Sequence, residues 1–320
     1  MKWILGFTAV AVLVGVAATI TVPAQTVTLD EATLKLLPPE TEGIAFVDVA
    51  GLRGAPLFNE LFLSKLPPFP RGLGEFAEAT GFEVQRDVDS VTAARTGEHA
   101  AVVLVRARYD KFKVEQYVKD KADKIITETY LGRVIYQEDE AYRGASSDGG
   151  GVAFIDNLII AGSLPSVKQV IDRMAAPSQS VVDNAALMQQ VRTIEAGNQV
   201  WAAGRFDSRM FGLPGASPEK LNEVASALNA GTYQMRLDQD VHVKATGSFN
   251  SPEMAKAASD TLRGLLAMGK LQFAQEPTLT RLLEGASVEF SGQTLRVTFN
   301  ASGEVIKQLQ EMRAAARVGR

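Results

Sequence analysis

The chain has 320 residues, of which 46% are hydrophobic and 22% charged, and its formal net charge is −4. This balance is that of a globular protein, and the absence of a broad basic field argues against a nucleic-acid-wrapping role. The sequence contains no cysteine, which excludes disulfides, thiolate metal sites, cysteine nucleophiles and a lipid-modified N-terminal cysteine.

The N-terminus carries a membrane-targeting pattern. Met1 and Lys2 precede a run from Trp3 to Val22 without a charged residue, followed by Pro23 and Ala24. Such a run predicts a signal peptide that is removed after Ala24, or an uncleaved membrane anchor, over residues 1–24. In both cases the body is translocated. We therefore expect a periplasmic or extracellular protein, either soluble or anchored in the inner membrane.

The first half of the body alternates short helices with strand pairs. Asp110 and Ser163 are predicted helix caps, and Leu131-Gly132 and Asp156-Asn157 are predicted two-residue hairpin turns. The predicted helices are 30–37, 52–66, 73–80, 110–122 and one that follows Ser163. The predicted strands are 43–50, 90–96, 100–109, 125–130, 133–137, 151–155 and 158–161, with a loop or an irregular hairpin over 138–151.

The second half repeats this order. Its predicted strands are 199–205, 232–237, 241–249, 287–291 and 294–299. Its predicted helices begin at Ser217-Pro218, at Asn250-Ser251-Pro252-Glu253, near Thr278, and after a cap at Asn300.

The pattern predicts the α+β class, with antiparallel sheets packed with helices. The recurring order further predicts an internal duplication of a β-α-β-β-α-β-β-α unit, with halves 25–195 and 196–320. In this alignment 101–110 matches 241–250, and 152–174 matches 286–312.

Two predicted strands differ in their hydrophobic pattern. Residues 102–105 are apolar throughout, which predicts a central strand buried on both sides. Residues 241–246 alternate between apolar and polar, which predicts a strand with one face exposed to water.

The sequence offers few groups for catalysis. His99 and His242 are its only histidines, with Glu98 and Asp240 beside them. They lack the helical spacing of a metal pair, and no phosphate-binding glycine motif or G-x-S-x-G serine motif occurs. Glu138-Asp139-Glu140 is interpreted as a solvated loop. We predict no cofactor, no metal and no catalytic residue.

An apolar cluster surrounds the prolines at positions 67, 68 and 70. Its members are either core or the rim of a groove for a partner protein or a lipid. This candidate ligand or partner groove consists of Leu61, Phe62, Leu66, Phe69 and Leu73.

The segment Leu36-Leu37-Pro38-Pro39-Glu40-Thr41, the strand GIAFVDVAGLRG and then Ala55-Pro56-Leu57-Phe58 resemble the opening of bacterial secreted or periplasmic proteins of unknown function with an N-terminal "LLP" segment. The hairpin Phe154-Ile155-Asp156-Asn157-Leu158 before Gly162-Ser163 is also similar to theirs. The resemblance implies no activity and no functional residues.

Two functions are compatible with this sequence. The first is a non-enzymatic exported envelope scaffold that binds a partner protein or an apolar ligand. The alternative is an exported hydrolase with a non-standard active site. A hydrolase is expected to place His99 or His242 in a deep pocket with a carboxylate and a hydroxyl nearby.

Cleavage after Ala24 predicts that the mature chain begins at Gln25. Edman sequencing of the protein isolated from its native envelope checks this. A chain that starts at Met1 would instead identify an uncleaved anchor.

Overall fold

The computed structural model describes residues 31–58, 71–97, 100–121, 125–138, 150–205 and 227–318. The chain divides into two compact units. Unit 1 comprises Met1–Gly54 with Phe58–Met188, and unit 2 comprises Ala55–Leu57 with Gln189–Arg320. Helices and antiparallel strands are present in both, which confirms the predicted mixture of helix and antiparallel sheet.

Unit 1 contains seven strands. They are β1 (Gly43–Asp48), β2 (Val88–Arg95), β3 (Ala101–Ala107), β4 (Ile125–Tyr130), β5 (Arg133–Glu138), β6 (Gly150–Ile155) and β7 (Leu158–Ser163). Its described helices are α1 (Glu31–Leu36), α2 (Val49–Gly54), α3 (Arg71–Thr80), α4 (Val84–Asp87), α5 (Lys111–Asp120), α6 (Leu164–Ala175) and α7 (Ala185–Val191), with a 3₁₀ turn at Val181–Asp183.

The strand order in unit 1 is β1-β2-β3-β7-β6-β5-β4, and every neighbouring pair is antiparallel. β3 lies between β2 and β7, with Leu104 paired to Thr92 on one side and to Ile160 on the other. All four residues of 102–105 are buried. The predicted central strand is therefore confirmed.

Helices cover the two faces of this sheet. On one face Phe154 of β6 contacts Phe76 of α3, with ring centroids 6.3 Å apart, and Tyr109, with centroids 5.3 Å apart. On the other face α6 lies close to β6 at Gly151. A Cβ atom at this position would lie 3.4 Å from Leu164 and 3.8 Å from Val167. Burial on both faces explains why the strands between them are apolar at successive positions.

Unit 2 contains five strands and three described helices. The strands are β8 (Val200–Gly204), β9 (Leu228–Leu237), β10 (Asp240–Phe249), β11 (Ala286–Ser291) and β12 (Thr294–Ser302). The helices are α8 (Pro252–Gln272), α9 (Pro277–Glu284) and α10 (Gly303–Val318). The strand order is β8-β9-β10-β12-β11, again antiparallel throughout.

The core of unit 2 lies beneath α8. Ala255 and Ala258 of this helix are buried against Phe249 of β10 and Leu295 of β12. Ser251 caps the helix, since its side chain accepts a hydrogen bond from the backbone N–H of Met254. The small alanines allow the helix to lie close to the sheet.

Several predicted element boundaries are wrong. The first strand ends at Asp48, because its buried carboxylate accepts a hydrogen bond from the N–H of Gly51 and starts α2. Asn300 is not a helix cap but a residue of β12, and α10 begins only at Gly303. Ser163 does precede α6, yet its hydroxyl bonds the Ser166 hydroxyl rather than a backbone N–H.

The strand predicted over 241–246 lies within β10, where all six residues are half-buried. The buried apolar contact with α8 is made by Phe249 at the end of the strand. The predicted helix at Ser217-Pro218 and the acidic segment Asp139-Glu140 lie outside the described residues.

One buried arginine holds the turn before β2. The Arg53 side chain donates from Nη1 to the carbonyl oxygens of Gln85 (3.1 Å) and Arg86 (2.6 Å). Its Nη2 donates to the Val88 carbonyl at 2.9 Å and to the Asp89 carboxylate at 3.1 Å. Arg53 is only 7% exposed. One guanidinium thus satisfies carbonyls that the end of the short α4 leaves without helical partners.

We predict that Arg53→Met lowers the free energy of unfolding by about 2–4 kcal/mol, because the Gln85 and Val88 carbonyls lose their charged donor, whereas Arg108 still donates to the Arg86 carbonyl and the Asp89 carboxylate. Lys35→Met is the control. It removes an exposed ion pair to Glu31 and is expected to cost less than about 0.5 kcal/mol. Urea unfolding followed by circular dichroism measures both, and equal losses would contradict the structural role of Arg53.

Candidate functional site

Most sequence-predicted site residues fall outside the described part of the chain. Leu61, Phe62, Leu66 and Phe69 are outside it, and of Leu73 only the backbone is described, in α3. His99 is also outside the described residues. The predicted groove therefore stays a prediction.

His242 is described, and it lies on β10. Its Nδ1 is 2.9 Å from Oδ1 of Asn300, and its Nε2 is 3.8 Å from a carboxylate oxygen of Asp238. The side chain is 34% exposed. None of these described contacts is a hydroxyl, so the arrangement lacks the nucleophile of a serine hydrolase. His242 is better described as one member of a polar sheet surface.

That surface is the face of the unit 2 sheet opposite α8, and we call it the polar face. Side chains that pair across antiparallel strands share a face. The polar face accordingly consists of three cross-strand rows. They are Arg236-His242-Asn300, Trp201-Gln234-Lys244-Thr298-Ser287 and Ala203-Thr232-Thr246-Arg296-Glu289.

Side chains of the polar face bond mainly to one another. The hydroxyls of Thr232 and Thr246 are 2.6 Å apart, and those of Ser287 and Thr298 are 2.7 Å apart. Gln234 is buried, and its Oε1 accepts a hydrogen bond from the backbone N–H of Glu195 at 2.8 Å. These bonds fix the side chains in place, and the hydrogen-bonding groups in the middle of the polar face already have partners within the chain.

The charges of the polar face are balanced internally as well. Lys244 forms an ion pair with Glu195, and this hydrogen bond holds the pKa of the Glu195 carboxyl below its usual range, with Arg236 and Arg296 adding smaller contributions. Lys244 pairs with Glu195 and Arg236 with Asp238 (3.3 Å), and these ion pairs reduce the field that the two basic groups present to a charged ligand.

A different surface carries exposed apolar groups. β4 and β5 form a hairpin, which we call the outer hairpin, because it occupies one end of the unit 1 strand order. Three of its aliphatic side chains are exposed: Ile126 by 42%, Leu131 by 59% and Val134 by 41%. They do not form one patch, because the register places Ile126 on the α6 side of the sheet and Val134 on the opposite side, with Leu131 in the turn between the strands.

The turn of the outer hairpin is strained. Leu131 has a φ of +45° and Gly132 a φ of +74°. A two-residue turn of this kind requires positive φ at both positions, which suits Gly, Asn and Asp but not Leu. In the neighbouring hairpin of unit 1 the first turn position, with a φ of +53°, is occupied by Asp156, a residue type that tolerates this conformation. Leu131 thus combines an unfavourable backbone conformation with an exposed apolar side chain.

The outer hairpin is fixed to the rest of unit 1 through α6. Glu128 contacts Lys168 at 2.6 Å, and Tyr130 donates from its hydroxyl to Asp172 at 2.7 Å. The hydrogen bond from Lys168 lowers the pKa of the Glu128 carboxyl, and the bond to Asp172 raises the pKa of the Tyr130 hydroxyl. These contacts orient the base of the hairpin while its tip stays exposed.

The sequence predicted the turn at Leu131-Gly132, but it did not predict that Leu131 is exposed. The signal was present in the sequence, because Leu replaces the Asn or Asp that normally opens such a turn. The sequence did not reveal the strand order, which shows that β4 ends the order and that, among the described strands, it pairs with β5.

Comparisons with known proteins gave no match. No protein-family model matches the sequence, and no curated protein or solved structure is significantly similar to it. The resemblance to secreted "LLP" proteins therefore stays a prediction. In the described ranges, no group of three or more histidine and acidic residues could hold a metal ion, and no helix is long and apolar enough to cross a membrane.

We predict that Leu131→Asn raises the free energy of unfolding by about 0.5–1 kcal/mol, because Asn tolerates the left-handed conformation better than Leu. Leu131→Ala is the matched control, since it shortens the side chain but keeps the strain, and no gain is expected. Urea unfolding measures both variants. A loss of stability in Leu131→Asn would mean that the Leu side chain stabilises the free protein.

Proposed function

We propose that this protein is an exported, non-enzymatic envelope scaffold that binds a partner protein through its outer hairpin. The observation that carries the proposal is Leu131, whose side chain is 59% exposed on a backbone with a φ of +45°. The left-handed backbone costs stability in the free protein, and the exposed side chain gains nothing from burial there. Contact with a partner offsets that cost, since full burial of a Leu side chain contributes about 1.5–3 kcal/mol.

The surroundings of Leu131 support a protein partner. Two further apolar side chains of the hairpin are exposed, Val134 on one sheet face and Ile126 on the other. Glu128 and Tyr130 add polar groups that are already bonded to α6. An apolar centre beside satisfied polar groups is typical of protein interfaces.

The outer hairpin is also the element by which the strand order of unit 1 differs from that of unit 2. Without β4 and β5, the unit 1 order β1-β2-β3-β7-β6 corresponds strand for strand to the unit 2 order β8-β9-β10-β12-β11. In each unit a helix follows the third strand and another follows the last. This correspondence supports an internal duplication, in which unit 1 gained the hairpin as an addition to a common framework.

The export part of the proposal rests on the N-terminal sequence. Lys2, the uncharged run from Trp3 to Val22 and the residues before Gln25 match a membrane-targeting segment. A scaffold function also agrees with His242, whose described contacts include no hydroxyl. The groove over Leu61–Leu73, as a site for a lipid or a second partner, remains part of the proposal.

Site-specific photo-cross-linking in cells of the native organism tests the binding role. Benzoylphenylalanine is placed at Leu131 and, as a matched control, at Gly292. Gly292 is the first residue of another two-residue turn, has a φ of +55°, and is exposed.

We expect position 131 to yield an adduct with one protein species, identified by mass spectrometry, and position 292 to yield none. When an unlabelled copy of the protein is co-expressed as a competitor, wild type is expected to reduce the yield of this adduct more than the Leu131→Asn variant does. No protein adduct at 131, or the same adducts at both positions, would contradict the proposed contact surface.

A further inference from the structure

The backbone of β4 has one row of hydrogen-bonding groups that points away from β5. In a two-residue hairpin the residues flanking the turn exchange both backbone hydrogen bonds, and such pairs alternate with non-bonded pairs along the ladder. Tyr130 and Arg133 flank the turn. The backbone groups of residues 126, 128 and 130 therefore point toward β5, whereas those of Ile125, Thr127 and Thr129 point outward.

Among the described residues, this outward edge carries few of the features that normally prevent strand pairing. Its sequence is Ile-Ile-Thr-Glu-Thr-Tyr, without Pro, Lys or Gly, and its register with β5 has no bulge. Natural sheets protect edges with those residues or with bulges. The residues of β4 are instead those that favour strands. In the described residues, β4 pairs with β5 alone.

The edge is complementary to itself. Ile125 and Thr129 lie symmetrically on either side of Thr127. An antiparallel copy related by a two-fold axis at Thr127 pairs Thr127 with Thr127 and Ile125 with Thr129. These three pairs use outward groups only and form about six backbone hydrogen bonds. Thr–Thr and β-branched pairs at such positions stabilise a sheet.

The charge of the edge permits this approach. Glu128 is the only charged residue of β4, and its carboxylate is bound by Lys168 and by the Gln137 amide at 3.1 Å. Two copies therefore meet without the repulsion that unpaired like charges opposite one another would cause.

We propose that two copies of this protein associate by antiparallel pairing of their β4 strands about a two-fold axis at Thr127. This inference rests on the proposed function, because it names a second copy as a partner of the outer hairpin. The joined sheet continues across the two copies, and each open edge is removed by the other.

Disulfide trapping tests the pairing and its register, and the chain has no cysteine of its own to interfere. Full-length single-cysteine variants are produced in cells, treated with a mild oxidant and separated without reductant. Thr127→Cys places two cysteines directly opposite, with Cα atoms about 5.5 Å apart, within the range of a disulfide.

Thr129→Cys is the matched control. It is exposed on the same strand and the same sheet face, but in the proposed register its copies lie roughly 14 Å apart, too far to bridge. Ile125→Cys alone is separated by the same distance. Co-expression of Ile125→Cys with Thr129→Cys brings unlike cysteines opposite each other.

We expect at least about tenfold more covalent dimer from Thr127→Cys than from Thr129→Cys, and dimer again when Thr129→Cys is co-expressed with Ile125→Cys. Adding Thr127→Pro to the co-expressed pair removes the outward donor and is expected to abolish that dimer. Equal yields from all single variants, or no dimer from Thr127→Cys, would overturn the inference. If benzoylphenylalanine at Leu131 then still captures a different protein, the inference fails and the proposed function stands.

Discussion

The long-range pairing of β7 with β3 is the constraint on which the rest of unit 1 depends. β3 is apolar at four successive buried positions, so it requires strands on both edges and cover on both faces. β2 supplies one edge locally, but the other is filled by β7, which arrives only after β4, β5 and β6. Once β7 occupies this place, α6 is directed onto one face and Phe154 contacts the aromatic residues of the other.

The same pairing determines where the outer hairpin lies. β7 fills the position next to β3, and β6 lies beside β7. The strands β5 and β4 can therefore only extend the order outward. The pairing of β12 with β10 has the same role in unit 2, where the order ends at β11. Unit 1 therefore carries two more strands on a framework of equivalent order, and the exposed edge and strained turn both belong to these strands.

The two exposed sheet surfaces differ in a way that bears on function. On the polar face of unit 2, hydroxyls bond hydroxyls and Lys244 bonds Glu195, so the side chains already have partners within the chain. On the outer hairpin, Leu131 and Ile126 are apolar and exposed, and the outward amides of β4 pair with no described strand. Unsatisfied apolar surface and backbone polarity favour association, whereas an internally satisfied polar surface does not.

Local chemistry allowed the sequence by itself to determine most helices and hairpins. Asp110 and Ser251 cap helices as expected, because an N-cap depends only on residues within one turn. The turns at Leu131-Gly132 and Asp156-Asn157 were likewise predictable from adjacent residues. Asn300 was misassigned as a cap because its side chain instead meets His242 on the neighbouring strand, a contact set by register. Only the tertiary structure decided the strand order, the burial of Arg53 beneath distant carbonyls and the exposure of Leu131, since each depends on residues far apart in the chain that the sheet brings together.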